Sequence, residues 1–146
     1  MAAVLGMNAK LYRNTGTYAS PTWTVVSNVR DVTLSLETGE ADVTTRAASG
    51  WRQSIATLKD AGLEFEMVWD GTDAGFTAVK DAYMNGTNVE FLVLDGDEST
   101  TGSQGLRAEM SIMTFSRNEP LEEAVTVSVS AKPTKADNAP AWHTVS

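Results

Sequence analysis

The feature that most constrains the fold of this chain is an alternation of apolar and polar residues with a period of two. Such alternation predicts half-buried β-strands, because successive side chains of a strand point to opposite faces. The clearest runs are residues 32–36, 63–70, 106–113 and 125–131. Residues 8–13 and 22–26 are weaker strand candidates. The run 89–94 is apolar at nearly every position, which predicts a strand covered on both faces.

One segment has a helical period instead. Within residues 73–85 the apolar side chains form one stripe: Phe76, Val79, Ala82 and Tyr83. Thr72 or Asp73 can accept a hydrogen bond at the N-terminus, and Gly86 suits the left-handed position that follows a helix. A helix this short is not stable alone. We therefore expect one α-helix, about 73–85, packed across an apolar sheet face.

These elements together predict a mainly β protein. Domains usually have roughly 100–200 residues, so we expect one domain over residues 1–146. Strands separated by Gly and Pro turns, with one helix among them, favour an antiparallel β-sandwich or barrel with one flanking α-helix. We expect residues 1–7 and 132–146 to be extended N-terminal and C-terminal arms rather than strands.

Residues 38–56 fit neither period well, because few large apolar groups anchor them. We expect a long projecting hairpin or loop of mixed charge there. A long loop in a compact domain is uncommon and is often functional. The alternative is a polar surface hairpin without a role.

The composition argues against catalysis. The chain has no cysteine and one histidine, His143, which lies in the expected C-terminal arm. A nucleophilic triad needs a firmly held general base, and a transition-metal site needs several nitrogen or sulfur ligands. Residues 95–99 resemble the start of a calcium loop, but the sixth and twelfth positions of that loop do not fit. We therefore expect no enzyme, no metal and no cofactor.

The chain is acidic, with 19 Asp and Glu against 11 Lys and Arg and a formal net charge of −8. That balance disfavours proteins that grip nucleic acid or dock on anionic membranes, because both need basic surfaces.

Residues 1–10 have no early positive charge and no long apolar core, so we expect no secretory signal. The absence of cysteine fits assembly in a reducing cytoplasm.

An apolar set on the face opposite the expected core points to self-assembly. Its members are Val68, Leu92, Leu94, Met113 and Phe115. A monomer rarely exposes that many apolar groups together, so we expect them at a subunit interface. The arms and residues 38–56 have few core anchors and would also order by docking on a neighbour.

The order and spacing of five stretches resemble the tail tube (major tail) proteins of long-tailed bacteriophages. The stretches are residues 6–13, 23–36, 39–46, 63–70 and 115–129. The resemblance implies a fold similar to the type VI secretion tube protein, a β-sandwich or barrel with one flanking helix. It also implies hexameric rings, in which one sheet of each subunit joins its neighbours. The rings would stack into a tube through which DNA is ejected into the host.

The resemblance further implies partners and a location. The partners would be other copies of the chain, a tape measure protein, a tail terminator and distal tail or baseplate proteins. DNA would pass through without specific binding, and no membrane would be involved. The location would be the virion tail, after assembly in the host cytoplasm. By position, the ring-stacking residues would be Glu40, Asp42, Arg46 and Arg52.

An acidic bore would let DNA slide, because like charges disfavour contact within about 8 Å at physiological salt. Glu64, Glu66 and Glu109 lie on the polar faces of predicted strands, and they are our candidates for residues that face the lumen. The alternative places them on the outside of the particle as solubilising charge.

Two other functions are open on these grounds. A tube protein of a secretion or contractile-injection system would share the fold. A monomeric β-sandwich binding module would instead recognise carbohydrate or another capsid protein through exposed Trp, and it would not assemble as its concentration rises.

Overall fold

The computed structural model describes residues 3, 5–134 and 138–146. The described residues form eight β-strands, one α-helix and two short 3-10 turns. The strands are β1 (Lys10–Asn14), β2 (Trp23–Val25), β3 (Val29–Asp42), β4 (Ser54–Val68), β5 (Asn88–Leu94), β6 (Gln104–Asn118), β7 (Thr126–Pro133) and β8 (Ala141–Thr144). The helix α1 spans Ala74–Asn85, and the turns span Gly6–Asn8 and Arg46–Ala48. The predicted mainly β fold with one helix is confirmed.

All described strands belong to one antiparallel sheet with the order β2-β1-β5-β6-β7-β4-β3, and β8 lies beside the start of β6. The sheet curls so that β4 faces β5 across the interior, where the rings of Phe65 and Phe91 are 5.8 Å apart. In the described chain the curl does not close, because β2 and β3 end the sheet without pairing with each other. The result is an open barrel.

The core fills the inside of the curl. Its fully buried side chains include Leu63, Met67, Val79, Phe91 and Val127. On β4, buried residues at 61, 63, 65 and 67 alternate with less buried ones, as the period of two predicts. On β5, the residues from Glu90 to Leu92 and Leu94 are buried, so the predicted coverage of both faces is also confirmed.

The helix begins and ends where its capping residues predict. The Asp73 carboxylate accepts a 2.9 Å hydrogen bond from the Phe76 amide. Gly86 has a φ of 67°, and its N–H donates to the carbonyls of Ala82 and Tyr83. The ring of Phe76 packs against Trp69, which directly follows β4, and against Phe115 of β6. The helix therefore lies on the core side of β6.

Strand β6 has 15 residues and changes partners at a bulge. It pairs with β5 up to Ser111 and with β7 from Met110 onward. Its register shifts between Ile112 and Thr114. A bulge bends a strand and increases its twist, so β6 can pass from one half of the barrel to the other. Among the described strands, residues 112–118 of β6 then have a neighbour on the β7 side alone.

The predicted exposed apolar set was wrong for three of its members. Leu92 and Leu94 are buried, and Phe115 packs against the main core. A second cluster covers the outer face of β5: it contains Tyr12, Leu92 and Leu94, with Trp23 and Val145 packed on it. Alternation shows which residues share a face, but it does not show which distant residues cover that face. Met113 is half exposed, as expected.

The predicted C-terminal arm was also partly wrong. Lys132 and Pro133 still belong to β7, and Ala141–Thr144 pair with β6 as strand β8. Residues 135–137 of this arm lie outside the described residues, as do residues 1, 2 and 4 of the N-terminal arm. Backbone hydrogen bonds from Gly102 to Val145 and from Val145 to Ser103 extend the β8 docking.

Gly105→Ala is expected to destabilise the fold. A Cβ on Gly105 would overlap the Val93 carbonyl oxygen of the neighbouring strand, and overpacking typically costs about 1–3 kcal/mol. Gly62→Ala is the matched control within a strand, because its Cβ would meet no described atom within 4 Å. Urea denaturation should give a clearly lower midpoint for Gly105→Ala alone. Equal midpoints for the two variants would contradict this close approach.

Candidate functional site

A section of four strands presents a polar face away from the core. This four-strand section consists of β3, β4, β7 and residues 112–118 of β6. Its polar side chains form rows across the strands: Thr33, Glu64, Ser130 and Thr114 in one row, and Glu66, Ser128 and Ser116 in the next. The hydroxyls of Thr114 and Ser130 lie 2.8 Å apart and hydrogen bond. The section thus has one open polar face and one apolar face that is covered except along β3.

The polar face is mainly acidic. Its carboxylates are Asp31, Glu37, Asp60, Glu64 and Glu66. Arg30 pairs with Glu66 and Lys132 pairs with Asp60, each at 3.4 Å. Both pairs are solvent-exposed, and such pairs contribute only about 0–1 kcal/mol. These two cations leave a surplus of negative charge on this face.

The structure brings together two of the three lumen candidates. Glu64 and Glu66 are both on the polar face of the four-strand section. Glu109 lies before the bulge, in the half of β6 that pairs with β5, directly opposite Glu90. It is half-buried there. Alternation along β6 cannot show that the strand changes partners between Glu109 and Thr114.

Both long edges of the four-strand section lack a strand partner within the described part of the chain. On one side β3 presents the backbone of 14 residues. On the other side, residues 112–118 of β6 extend past the end of β5. Strand edges of this kind are templates for pairing with another chain, and proteins often block them with Lys or Pro. Neither residue type occurs in β3, whose two register shifts, at 29–32 and 38–40, leave residues 32–38 as a regular edge.

Apolar side chains are exposed beside both edges. On the core side of β3, Val32 is 38% exposed and Leu36 is 56% exposed. Above the β6 edge, Tyr83 of α1 stacks on Phe115 yet is 44% exposed, and Met84 is 72% exposed. The apolar stripe predicted for the helix includes Tyr83. The sequence pattern does not predict that Met84 is exposed.

An open cleft of about 800 Å³ runs along the seam between β1 and β3. It lies on the core side of the sheet, and its apolar lining includes Met7, Leu11, Val25, Val26, Val32 and Val93. The cleft exists because the two ends of the sheet do not meet. The same residues would be covered if the barrel were closed.

The four stacking candidates lie on the hairpin that joins β3 and β4. Glu40 pairs with Ala56 within the hairpin, and Asp42 ends β3 opposite Ser54. Arg46 begins the second 3-10 turn, and Arg52 is exposed in the connection to β4. The predicted projecting hairpin over residues 38–56 is therefore confirmed. It also exposes three large apolar side chains besides its charged groups: Val43, Trp51 and Ile55.

The hairpin tip, residues 43–53, is ordered by its own hydrogen bonds. The Thr44 amide donates to the Asp42 carboxylate at 2.8 Å. The Thr44 hydroxyl accepts from the Gln53 amide at 2.8 Å and donates to the Gln53 carbonyl at 3.2 Å. The hydrogen bonds from the Thr44 side chain and backbone lower the pKa of Asp42. Asp42 thus has a local structural role besides any role in stacking.

A buried ion pair outside the four-strand section was not predicted. Arg107 Nε donates to a Glu90 carboxylate oxygen at 3.1 Å, and the Glu90 side chain is only 7% exposed. The Arg107 guanidinium also lies 3.8 Å from the ring centre of Tyr18 and donates to the Tyr18 carbonyl at 2.7 Å. This contact holds the β1–β2 connection against the sheet. Its partners are distant in sequence, so no local pattern marks them.

The described residues contain no group of three or more His, Cys, Asp or Glu placed to hold a metal ion. In the 95–99 loop, Asp97 instead accepts hydrogen bonds from Ser99 and from Lys10 Nζ, which lies 2.9 Å away. These contacts lower the pKa of Asp97 strongly. None of the described helices is long and apolar enough to span a bilayer.

The described residues form a curled sheet with one packed helix, a long projecting hairpin and two strand edges to which another chain could add. The chain belongs to the phage tail tube protein family, because the sequence profile of that family matches residues 8–134. This membership confirms the resemblance seen in the sequence and places the chain among the structural proteins of virion tails. No curated protein matches the chain significantly.

Several solved structures share the fold. The tail of an empty gene transfer agent (GTA) particle, computed with C6 symmetry, has a TM-score of 0.74 and 16% identity, covering 99% of this chain and 100% of that chain. The SPP1 tail tube has a TM-score of 0.68 and 19% identity, covering 89% and 75%. A chain of the anti-feeding prophage (AFP) baseplate has a TM-score of 0.54 and 9% identity, covering 94% and 91%. At these identities the likeness shows the fold alone.

The hairpin tip should lose order only in strong acid. Because the pKa of Asp42 is lowered from its usual 3.8, its contribution to order is complete above that value and is lost as the pH falls through the lowered pKa. The NMR shift of the Thr44 amide should therefore titrate with a midpoint below 3.8. Asp42→Asn should abolish that titration. A midpoint at or above the usual value would contradict the hydrogen bonds described.

Proposed function

We propose that copies of this chain assemble into six-membered rings, and that the rings stack into the hollow tube of a phage tail through which DNA is ejected into the host. Membership of the tail tube family supports the tube, and the similar GTA tail has C6 symmetry. The observation that carries the proposal is the four-strand section, whose two edges are both unpaired among the described strands.

The direction of the strands permits ring closure. Within the section β6 is antiparallel to β7, β7 to β4, and β4 to β3. An even number of alternating strands leaves β3 and β6 running in opposite directions. Around a ring, β3 of one subunit would therefore meet residues 112–118 of β6 of the next subunit in antiparallel register. The repeated section would form one continuous barrel without free edges. No strand edge would then be left to pair with unrelated chains.

The polar face of the section would line the bore. Its other face is covered by the core and by α1 of the same subunit, so the polar face is the one left free to meet water. Glu64 and Glu66 would project into the bore, and their charges would disfavour contact with DNA phosphates. Glu109 lies on the same side of the sheet but before the bulge, and we place it at the margin of the bore.

The hairpin would connect one ring to the next. Residues 38–56 extend β3 and β4 beyond the part of the sheet that packs on the core, and they are mostly exposed. The hairpin would offer charges of both signs to a neighbouring ring. The acids Glu40 and Asp42 are in β3, and the bases Arg46 and Arg52 are in the hairpin tip. The ordered tip lowers the entropy lost on docking. The exposed Trp51 at the tip adds a large apolar contact of the kind that dominates many interfaces.

The remaining partners follow from a tube with two different ends. A tape measure protein would occupy the bore during assembly, and a terminator and a distal tail or baseplate protein would meet the end rings. The particle would assemble in the host cytoplasm. A monomeric binding module is the main alternative, and it would leave the edges of the four-strand section unpaired at every concentration.

Electron microscopy and native mass spectrometry of the purified chain test the proposal. Across rising concentrations we expect six-membered rings and then hollow tubes, because each ring satisfies the strand edges of all its subunits. A protein that stays monomeric and monodisperse at high concentration, without other tail proteins, would contradict self-assembly and favour the binding module.

Reversing the charge of the bore should slow DNA ejection. The double variant Glu64→Lys/Glu66→Lys is expected to form tubes, because both residues lie on the water-facing side of the section. Its lysines would hold DNA phosphates, so DNA release from triggered particles should be several-fold slower and the delay should shrink at high salt.

The control is Asp81→Lys, which reverses an exposed charge on α1, on the core side of the section and away from its polar face. It should release DNA at the wild-type rate. If Asp81→Lys and the double variant release DNA equally fast, Glu64 and Glu66 do not line the bore.

A further inference from the structure

The helix α1 lies close to the free edge of β6. Tyr83 stacks on Phe115 with ring centres 6.1 Å apart and an angle of 22° between the rings, and Phe76 also contacts Phe115 at 5.9 Å. Phe115 belongs to the segment of β6 that has no strand on its outer side within the described chain. The last turn of the helix therefore lies over the edge strand of the section, while its first turn reaches Trp69 beyond β4.

A helix in that position must overhang whatever strand is added at the edge. Neighbouring strands lie about 4.7–4.9 Å apart, whereas a helix with its side chains is about 10–12 Å across. The chain passes from the last turn of α1 directly into β5, which pairs with the same edge of β6 up to Ser111, so this turn extends toward the place that the next strand would occupy. The side chains of α1 on that flank would rest on the core-side residues of the added strand.

The exposed apolar groups match this overhang. On the helix, Met84 is 72% exposed and Tyr83 is 44% exposed. On β3, the side chains that share the core side with buried Phe65 and Ala61 are Val32 and Leu36, and both are uncovered. One apolar patch therefore lies beside each free edge, and both patches lie on the same side of the sheet.

Within one subunit both patches stay exposed, and β7 and β4 separate β3 from residues 112–118 of β6 in the sheet. Between two copies, one patch on each of two different edges makes a head-to-tail contact, the type of contact from which rings are built. The cleft between β1 and β3 is also lined by Val32. It leaves space for side chains of the neighbouring subunit next to the β3 patch.

We propose that α1 of one subunit is a clamp on the next, in which Tyr83 and Met84 cover Val32 and Leu36 of the neighbouring β3. This inference rests on the proposed ring. The strand edges supply hydrogen bonds that any two edges could make, whereas the apolar clamp specifies which edge is accepted. The site is a protein–protein interface whose partner is a second copy of this chain.

Cysteine cross-linking tests the contact directly, because the natural chain has no cysteine. The double variants Leu36→Cys/Met84→Cys and Val32→Cys/Met84→Cys cover two registers of the clamp. After oxidation of assembled protein, at least one should give a ladder of covalent oligomers ending at the ring size. The control Leu36→Cys/Leu121→Cys uses an almost fully exposed residue in the turn before β7, and it should give no ladder.

Charge substitution provides a second readout. Met84→Asp and Leu36→Asp alter exposed positions, so the subunit should keep its circular dichroism spectrum and unfolding midpoint. Each should raise the concentration needed for ring formation at least about tenfold, since a carboxylate would be buried without a partner. Leu121→Asp should assemble as the wild type does.

The outcomes separate the clamp from the ring itself. Rings that form without cross-links in either register, with Met84→Asp and Leu36→Asp assembling normally, would overturn the clamp and leave the proposed function standing. A wild-type protein that forms no rings would overturn both. A ladder together with impaired assembly of the Asp variants would support the clamp.

Discussion

The outer edge of β3, which no other strand of the described residues pairs, is the constraint on which the rest of this structure depends. Fourteen residues of strand present N–H and C=O groups to one side, and most of their side chains are exposed on both faces. An edge of that length without Lys or Pro invites pairing with another strand. In the proposed ring the fold is one unit of a larger sheet, in which the β6 edge of one subunit pairs with the β3 edge of the next.

The two halves of the sheet differ in which of their faces are buried. The half built from β1, β5 and the start of β6 is closed on its outer face by Tyr12, Trp23 and Val145, so it needs no partner there. The four-strand section is covered on its core side and bare on its polar side. The bulge in β6 joins these halves, and it allows one strand to belong to a closed subunit core and to an open assembly surface.

Much of the fold was predictable because it depends on local patterns. Alternation on β4 identified its buried face, and Asp73 and Gly86 marked the ends of the helix. Contacts between distant segments were not predictable in this way. Leu92 and Leu94 looked exposed because the residues that cover them come from both ends of the chain. A bulge that changes strand partners leaves no clear mark in the sequence, so alternation alone cannot show that Glu109 lies in a different part of β6 from residues 112–118.

A density map of the assembled tube, at a resolution that separates strands, would show how neighbouring subunits pair. We expect a continuous barrel to which every subunit contributes β3, β4, β7 and the end of β6, with β3 antiparallel to residues 112–118 of the neighbouring β6. Glu64 and Glu66 should face the bore, and α1 should lie outside it across the subunit boundary. A tube in which both of these edges remain unpaired, or in which the polar face points outward, would contradict the proposed assembly.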